Sequence, residues 1–147
     1  MDNLSPQDMI CFALYSTAQA MQHAYKPLLT PLGLTYPQYI VLMSLWAEDD
    51  VTVGQLGRQI MLETNTLTPL LKRLEAKGLL SRTRSADDER VVRIRLTEAG
   101  REMQTAANTA AQCFFSQTDL GPEQAKQLRD QILALRENLR ETPEKQP

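Results

Sequence analysis

The chain has 147 residues and 42% hydrophobic content, enough for one domain with its own core, which excludes a disordered chain or a disulfide-stapled miniprotein. Sixteen Lys and Arg stand against eighteen Asp and Glu, a formal charge of −2, which excludes a histone-like polycation but leaves room for a local basic patch. With two cysteines 102 residues apart and one histidine, His23, neither a metal site nor a cofactor is expected. No apolar run approaches the ~18 residues of a membrane span, and Met1 to Asp8 holds no Lys or Arg, so a cytosolic protein without a membrane partner is expected.

Ser5, Pro6 and Asp8 supply an N-cap hydroxyl, a first helical residue that needs no N–H, and a carboxylate near the capping-box position. A helix is predicted from there to about Tyr25, ended by Lys26-Pro27 because proline disfavours helical geometry in the residue before it. After a turn over Pro31 to Tyr36, helical spacing returns from Pro37 to Trp46 and stops at the acidic loop Glu48, Asp49, Asp50.

Val53, Leu56, Gly57 and Ile60 then share one face of a short helix, Val53 to Ile60, with a break at Met61 to Thr64. Asn65 is placed to cap a further helix striped by Leu67, Leu70, Leu71 and Leu74, with Gly78 where a left-handed C-terminal residue belongs. Pro69 is expected in its first turns, where a missing N–H matters little. Two strands, Leu79 to Arg84 and Arg90 to Leu96, flank a polar tip from Ser85 to Glu89, and Val92, Ile94 and Leu96 alternate with Arg93 and Arg95. Two helices, a short turn and a hairpin make a mostly α winged helix-turn-helix.

Thr97 caps a long helix to about Phe115, striped by Ala99, Met103, Ala106, Ala110 and Cys113 or Phe114. Gly121-Pro122 opens the last helix, whose Leu128, Ile132, Leu135 and Leu139 form a narrow helix-packing seam, and Thr142 to Pro147 is expected to be loose. The long terminal helices carry more apolar surface than a small winged core can cover. A homodimer is therefore expected, with residues 1–35 and 102–147 as dimerisation helices around a DNA-binding region at 36–101; terminal helices folding back in a monomer are the alternative. A two-fold dimer offers two recognition helices to a palindromic double-stranded operator.

Between Val53 and Arg101 ten basic residues face six acidic ones, a local +4 that leaves −6 elsewhere. This asymmetry suits one phosphate-facing surface. Thr64, Asn65, Thr66 and Thr68, at the start of the recognition helix, can bond phosphates or base edges, or serve as caps and turn formers. Lys72, Arg73 and Arg84 are the cationic candidates beside them, and Arg90 at the wing is placed for a minor groove, braced by a bidentate pair with Asp88. A solvated hairpin with incidental salt bridges is the competing reading of the wing.

Cys11 falls in the second turn of the first helix, with Phe12, Leu14 and Tyr15 around it. As a quiet core thiol it needs nothing further; as a peroxide-reactive thiolate it needs hydrogen bonds, the positive end of its helix, or both. Phenols could supply the former, and Tyr25 and Tyr36 flank the turn that follows. Cys113 is either another packed thiol or a resolving partner that condenses with a sulfenic acid on Cys11.

The stretches CFALYST (11–17), YKPLLTPLGLTYPQYIVLMSLW (25–46), TLTPLLKRLEAKGLL (66–80) and DDERVVRIRLTEAG (87–100) closely resemble the organic hydroperoxide resistance regulators of the MarR family. The resemblance covers nearly all of residues 8 to 101 and is only generic in the C-terminal helices. It implies a homodimeric winged-helix repressor of an organic hydroperoxide resistance gene, released from its operator when an organic hydroperoxide oxidises it. By position it implies that Cys11 is the sensor, that Tyr25 and Tyr36 are partner-subunit phenols bonded to its thiolate, and that Tyr15 is a pocket neighbour. Some members need an external low-molecular-weight thiol and others a distant second cysteine; Cys113 suggests the second kind. Two other readings remain: a repressor released by a small aromatic or phenolic ligand without cysteine chemistry, and a thiol peroxidase, which would leave the helix-turn-helix unexplained. The chain is not expected to be an enzyme.

Overall fold

A computed structural model describes residues 5–141, which form two compact units, one within residues 5–114 and one within residues 115–141. The expected loose tail Thr142 to Pro147 lies outside the described residues. The elements are α1 (Ile10–Leu29), α2 (Tyr36–Ala47), β1 (Val51–Thr52), α3 (Val53–Ile60), α4 (Thr64–Ala76), β2 (Leu80–Arg84), β3 (Val92–Leu96), α5 (Glu98–Ser116) and α6 (Pro122–Glu141). No helix among the described residues is long and apolar enough to cross a membrane.

The first helix departs from expectation at both ends. Ser5 caps only a 3₁₀ turn, Pro6–Asp8, and Met9 is extended, so α1 begins at Ile10 and Cys11 lies in its first turn rather than its second. At the other end α1 runs through Pro27 to Leu29. Packing overrides the proline here: Leu29 is buried, Leu28 is half-buried against the core, and the Thr30 hydroxyl donates to the Lys26 carbonyl at 2.7 Å. The helix stops at a second 3₁₀ turn, Thr30–Leu32, closed by Gly33 at φ +68°, a left-handed conformation that glycine adopts without a Cβ penalty.

Helix α2 opens with a full capping box, the Gln38 amide donating to the Thr35 hydroxyl and the Thr35 amide to the Gln38 side chain. Its Val41, Leu42 and Leu45 meet Leu56 of α3, Leu67, Leu71 and Leu74 of α4, and the inward sheet residues Val51, Leu80 and Ile94 in one core. Helix α3 has the predicted bounds and its own capping box on Thr52 and Gln55. The predicted stripe on α4 holds, with Leu70 half-buried. Gly78 takes φ +72° just past Lys77, and the Leu79 amide reaches back to the Leu74 carbonyl at 3.1 Å, a helix ending that needs a left-handed residue.

The sheet has one more strand than the sequence suggests. β1 is only two residues long and adds to the outer side of β3, giving an antiparallel order β1-β3-β2 with Val51 opposite Ile94 and Leu80 opposite Leu96. Two residues carry no readable alternation. On α5 the buried residues are Ala107 and Ala110, with Met103 and Phe114 half-buried, while Ala106 and Cys113 are exposed. The stripe therefore takes Phe114 of the two residues offered at that position, leaves Cys113 outside the core of the single chain, and carries Ala107 where Ala106 was expected. Within its own unit, α6 exposes Leu128, Ile132, Leu133 and Leu139.

Candidate nucleic-acid interface and thiol site

The helix-turn-helix is closed by a tight approach of α3 to the turn. A Cβ on Gly57 would sit 2.8 Å from the Leu62 carbonyl oxygen, and Met61 adopts a left-handed φ of 57° to reverse the chain. This reversal starts α4 earlier than Asn65 capping would. Glu63 is the N-cap, without a side-chain bond, and its carbonyl accepts from the Thr66 and Leu67 amides. Asn65 is therefore not a cap but the second helical residue, exposed with Thr64 and Thr66. Thr68 is the inward member of the set, its hydroxyl donating to the Thr64 carbonyl at 2.8 Å. Pro69 is the sixth helical residue, past the turn in which an N–H has no partner, so it leaves the Asn65 carbonyl without its intrahelical donor.

A groove of about 390 Å³ runs between these elements, lined by the start of α3, Thr64 and Thr68 of α4, and Arg82, Arg90 and Val91 of the hairpin. The side chain of Arg90 is 94% exposed at the wing tip. Asp88 holds it through one oxygen, which accepts from the Arg90 amide at 3.0 Å and lies 3.5 Å from Nε; the expected bidentate pair is absent and the tip is an Asx turn. Arg84 donates to the Glu89 carbonyl across the loop.

Much of the basic stretch is neutralised internally. Arg82 gives Nε and Nη2 to one Glu75 oxygen at 2.9 and 2.8 Å, a contact that lowers the Glu75 pKa. Asp50, in a left-handed conformation, accepts from Arg95 and Arg93, and these hydrogen bonds hold its carboxyl down to about 2. Arg101 meets Asp49 at 3.0 Å. Among the described residues Arg58, Lys72 and Arg73 carry no ion pair, so the outward charge concentrates on α3, α4 and the wing tip. Arg58 was not among the sequence candidates; its position on the exposed side of α3 is the signal that could have found it.

The residues of the candidate thiol site are apart within one chain. Cys11 is exposed at the electropositive start of α1 beside Phe12, which is also exposed, and neither cysteine is in a disulfide. Tyr15, one turn on, is 62% exposed and accepts from the Gln19 amide at 2.9 Å. Tyr25 and Tyr36 lie elsewhere, in an aromatic cluster. Tyr25 stacks on Phe114 at 4.1 Å and 17°, and stands 5.2 Å from Tyr36 and 5.5 Å from Tyr39. Burial, the neighbouring Tyr39 phenol and a hydrogen bond to it raise Tyr25 far above the usual phenol range, so its hydroxyl keeps its proton. Burial raises Tyr36 likewise. Tyr39, buried at the centre, was missed from sequence, although the YPQY spacing sets it one turn from Tyr36.

A helix-turn-helix with a hairpin wing and a cationic outer face defines a winged-helix transcriptional regulator. A family model described as transcriptional regulator SarA/Rot matches residues 23–106. The organic hydroperoxide resistance transcriptional regulator of Bacillus subtilis (strain 168) is 40% identical over 138 residues, covering 94% of each chain. The solved structure of AbfR from Staphylococcus epidermidis is 33% identical, with a TM-score of 0.79 over 90% of this chain and 92% of that one. A structure of reduced AbfR bound to DNA is also similar, at 34% identity and a TM-score of 0.76 over 90% and 93% of the two chains. This chain belongs to the MarR family of winged-helix transcriptional regulators, among the organic hydroperoxide resistance regulators.

Proposed function

We propose that the chain is a homodimeric, DNA-binding repressor of an organic hydroperoxide resistance gene, with Cys11 as its oxidisable sensor. Residues 36–101 engage a palindromic operator, while residues 1–35 and 102–147 serve the dimer. The observation that carries the redox reading is the separation of Cys11 from the phenol cluster along one helix. Tyr25 is fourteen residues further along α1 than Cys11, about 21 Å of helix rise. The two ends of the site can meet only if a second copy runs its α1 the other way, and then Cys11 of one subunit faces Tyr25 and Tyr36 of the other. Tyr25 brings with it Phe114, whose chain neighbour is Cys113.

In this reading the Cys11 thiolate attacks the distal oxygen of an organic hydroperoxide, giving the sulfenic acid and an alcohol. The protonated Tyr36 hydroxyl, and the Tyr25 hydroxyl on turning from Tyr39, are the donors that hold the thiolate and the departing oxygen. The Cys113 thiol of the partner subunit then displaces the sulfenic oxygen as water, leaving an intersubunit disulfide. A low-molecular-weight thiol could take the place of Cys113. The exposed apolar side chains of α1 (Ile10, Phe12, Met21) and of α6 are the surfaces assigned to the dimer.

The test is intact mass under non-reducing conditions after about one equivalent of cumene hydroperoxide per subunit, with DNA release measured alongside. A covalent dimer linked through Cys11 and Cys113 is expected, and Cys11→Ser should keep DNA affinity while losing release. A protein released without any thiol loss would move the assignment to a repressor freed by a phenolic or aromatic ligand. A groove of about 600 Å³, lined in part by His23, Lys26 and Tyr36, offers such a ligand cationic and phenolic contacts.

A further inference from the structure

Lys77, the C-cap of α4, is an exposed basic residue of the winged segment whose ammonium turns back to the 33–38 segment and meets carbonyl oxygens, with no carboxylate in its contacts. Its ammonium donates to the Gly33 carbonyl and, at 3.0 Å, to Oε1 of Gln38. Gln38 is 2% exposed, and the same oxygen accepts the Thr35 amide at 3.1 Å. The two acceptors bracket Tyr36. Gly33 closes the 3₁₀ turn before it, in the left-handed conformation, and Gln38 completes the capping box that starts α2 at Tyr36. At its other end, Lys77 is fixed by the last turn of α4, about 18 Å of helix rise from Asn65. It therefore sits far from the residues assigned to base edges.

We infer that Lys77 is a positioning residue that fixes Tyr36 in the sensing site from the end of the recognition helix, and so makes the placement of α4 depend on what happens at Tyr36. The inference rests on the redox reading above. A charged donor shared by two carbonyl oxygens ties the 33–38 segment to α4 more firmly than neutral contacts would. Coupling of this kind acts in both directions: a displacement of Tyr36 on oxidation pulls on α4, and DNA on α4 steadies Tyr36. Lys77→Met keeps the aliphatic stem and removes the donor.

Full-length parent, Lys77→Met, Lys77→Arg and Cys11→Ser proteins are compared on a duplex selected from a random library by the reduced parent. Three quantities are read: affinity of the reduced protein, loss of the Cys11 thiol to cumene hydroperoxide, and the fraction of duplex released once that thiol is lost. Lys77→Met is expected to bind within about threefold of the parent when reduced, to lose its thiol as the parent does, and then to leave at least tenfold more duplex bound than the oxidised parent leaves, with Lys77→Arg restoring the parent response. A Lys77→Met protein that is oxidised and released like the parent overturns the inference, as does one whose reduced affinity collapses, since Lys77 would then act in binding alone. Release of Cys11→Ser by the same oxidant would instead sink the redox reading. If circular dichroism shows Lys77→Met unfolded, Lys77→Gln takes its place in the same comparison.

Discussion

Asp88 shows how one side chain can set what a neighbour is free to do. By accepting the Arg90 amide at 3.0 Å it builds the wing tip, and because it engages Nε only at 3.5 Å it leaves the guanidinium almost fully in solvent. Arg84 is partly committed to the Glu89 carbonyl, and Arg82 wholly to Glu75, so Arg90 is the hairpin arginine with the most freedom to enter a groove. Arg90→Ala is therefore expected to weaken duplex binding by roughly 1–3 kcal/mol, the cost of losing a specific contact, with little change in folding stability. Fluorescence anisotropy and urea denaturation of the same variant check the two halves, and unchanged affinity would return Arg90 to solvent. The candidacy of Arg90 was legible from its place in a polar loop between alternating strands. The commitments of Arg82, Arg93 and Arg95 were not, because the shared partner of the last two, Asp50, lies more than forty residues upstream, just before a two-residue strand that no periodicity marks.

At the level of elements, periodicity located every helix and both hairpin strands, while errors fell where a distant contact decided the outcome. Pro27 reads as a stop, but Leu28 and Leu29 beyond it belong to the core and carry α1 onward. Cys113 and Phe114 are equally plausible inward residues from spacing alone; Tyr25, eighty-nine positions away, selects Phe114 by stacking on it. The Leu-Thr-Glu-Ala-Gly segment is a third case. The Thr97 hydroxyl donates to the Gly78 carbonyl at 2.6 Å and the Thr97 amide to the Leu79 carbonyl at 3.1 Å, which draws the start of α5 onto the junction of α4 and β2. Gly100 is then pressed so close that a Cβ would lie 2.0 Å from the Leu79 carbonyl oxygen, while its own carbonyl accepts from Trp46 Nε1 at 2.9 Å. Backbone on both sides cannot give way as a flexible side chain would. Gly100→Ala should thus cost about 1–3 kcal/mol or more of stability, seen as a lower urea midpoint at unchanged slope. Gly54→Ala is the control: its Cβ would meet only Arg58 Nη1 at 3.7 Å and Thr52 Oγ1 at 4.0 Å, and it should be neutral or slightly stabilising.

For the whole molecule, the acidic formal charge of −2 and the proposed grip on a polyanion are reconciled by where the internal ion pairs fall. Asp49, Asp50 and Glu75 hold Arg101, Arg93, Arg95 and Arg82 on the sheet and helix flanks, and Lys77 is bound to carbonyl oxygens. What remains to face phosphates is Arg58, Lys72, Arg73, Arg84 and Arg90. Two physical pictures then predict different salt dependence. If every basic residue of the winged segment met a phosphate, a dimer would displace counterions from about twenty sites, and the slope of log affinity against log salt would approach roughly −18. If the paired arginines stay with their carboxylates, at most about ten sites are engaged and the slope should be no steeper than roughly −9. Breaking a pair to reach a phosphate exchanges one charged contact for another and strands a carboxylate beside the DNA, so the shallower slope is expected. Anisotropy titrations of a selected duplex between about 50 and 200 mM salt, the range over which counterion release dominates, measure it directly. A slope well beyond −9 would mean that Asp49, Asp50 and Glu75 surrender their partners on binding, and that the charge surface of the free chain is not the one DNA meets.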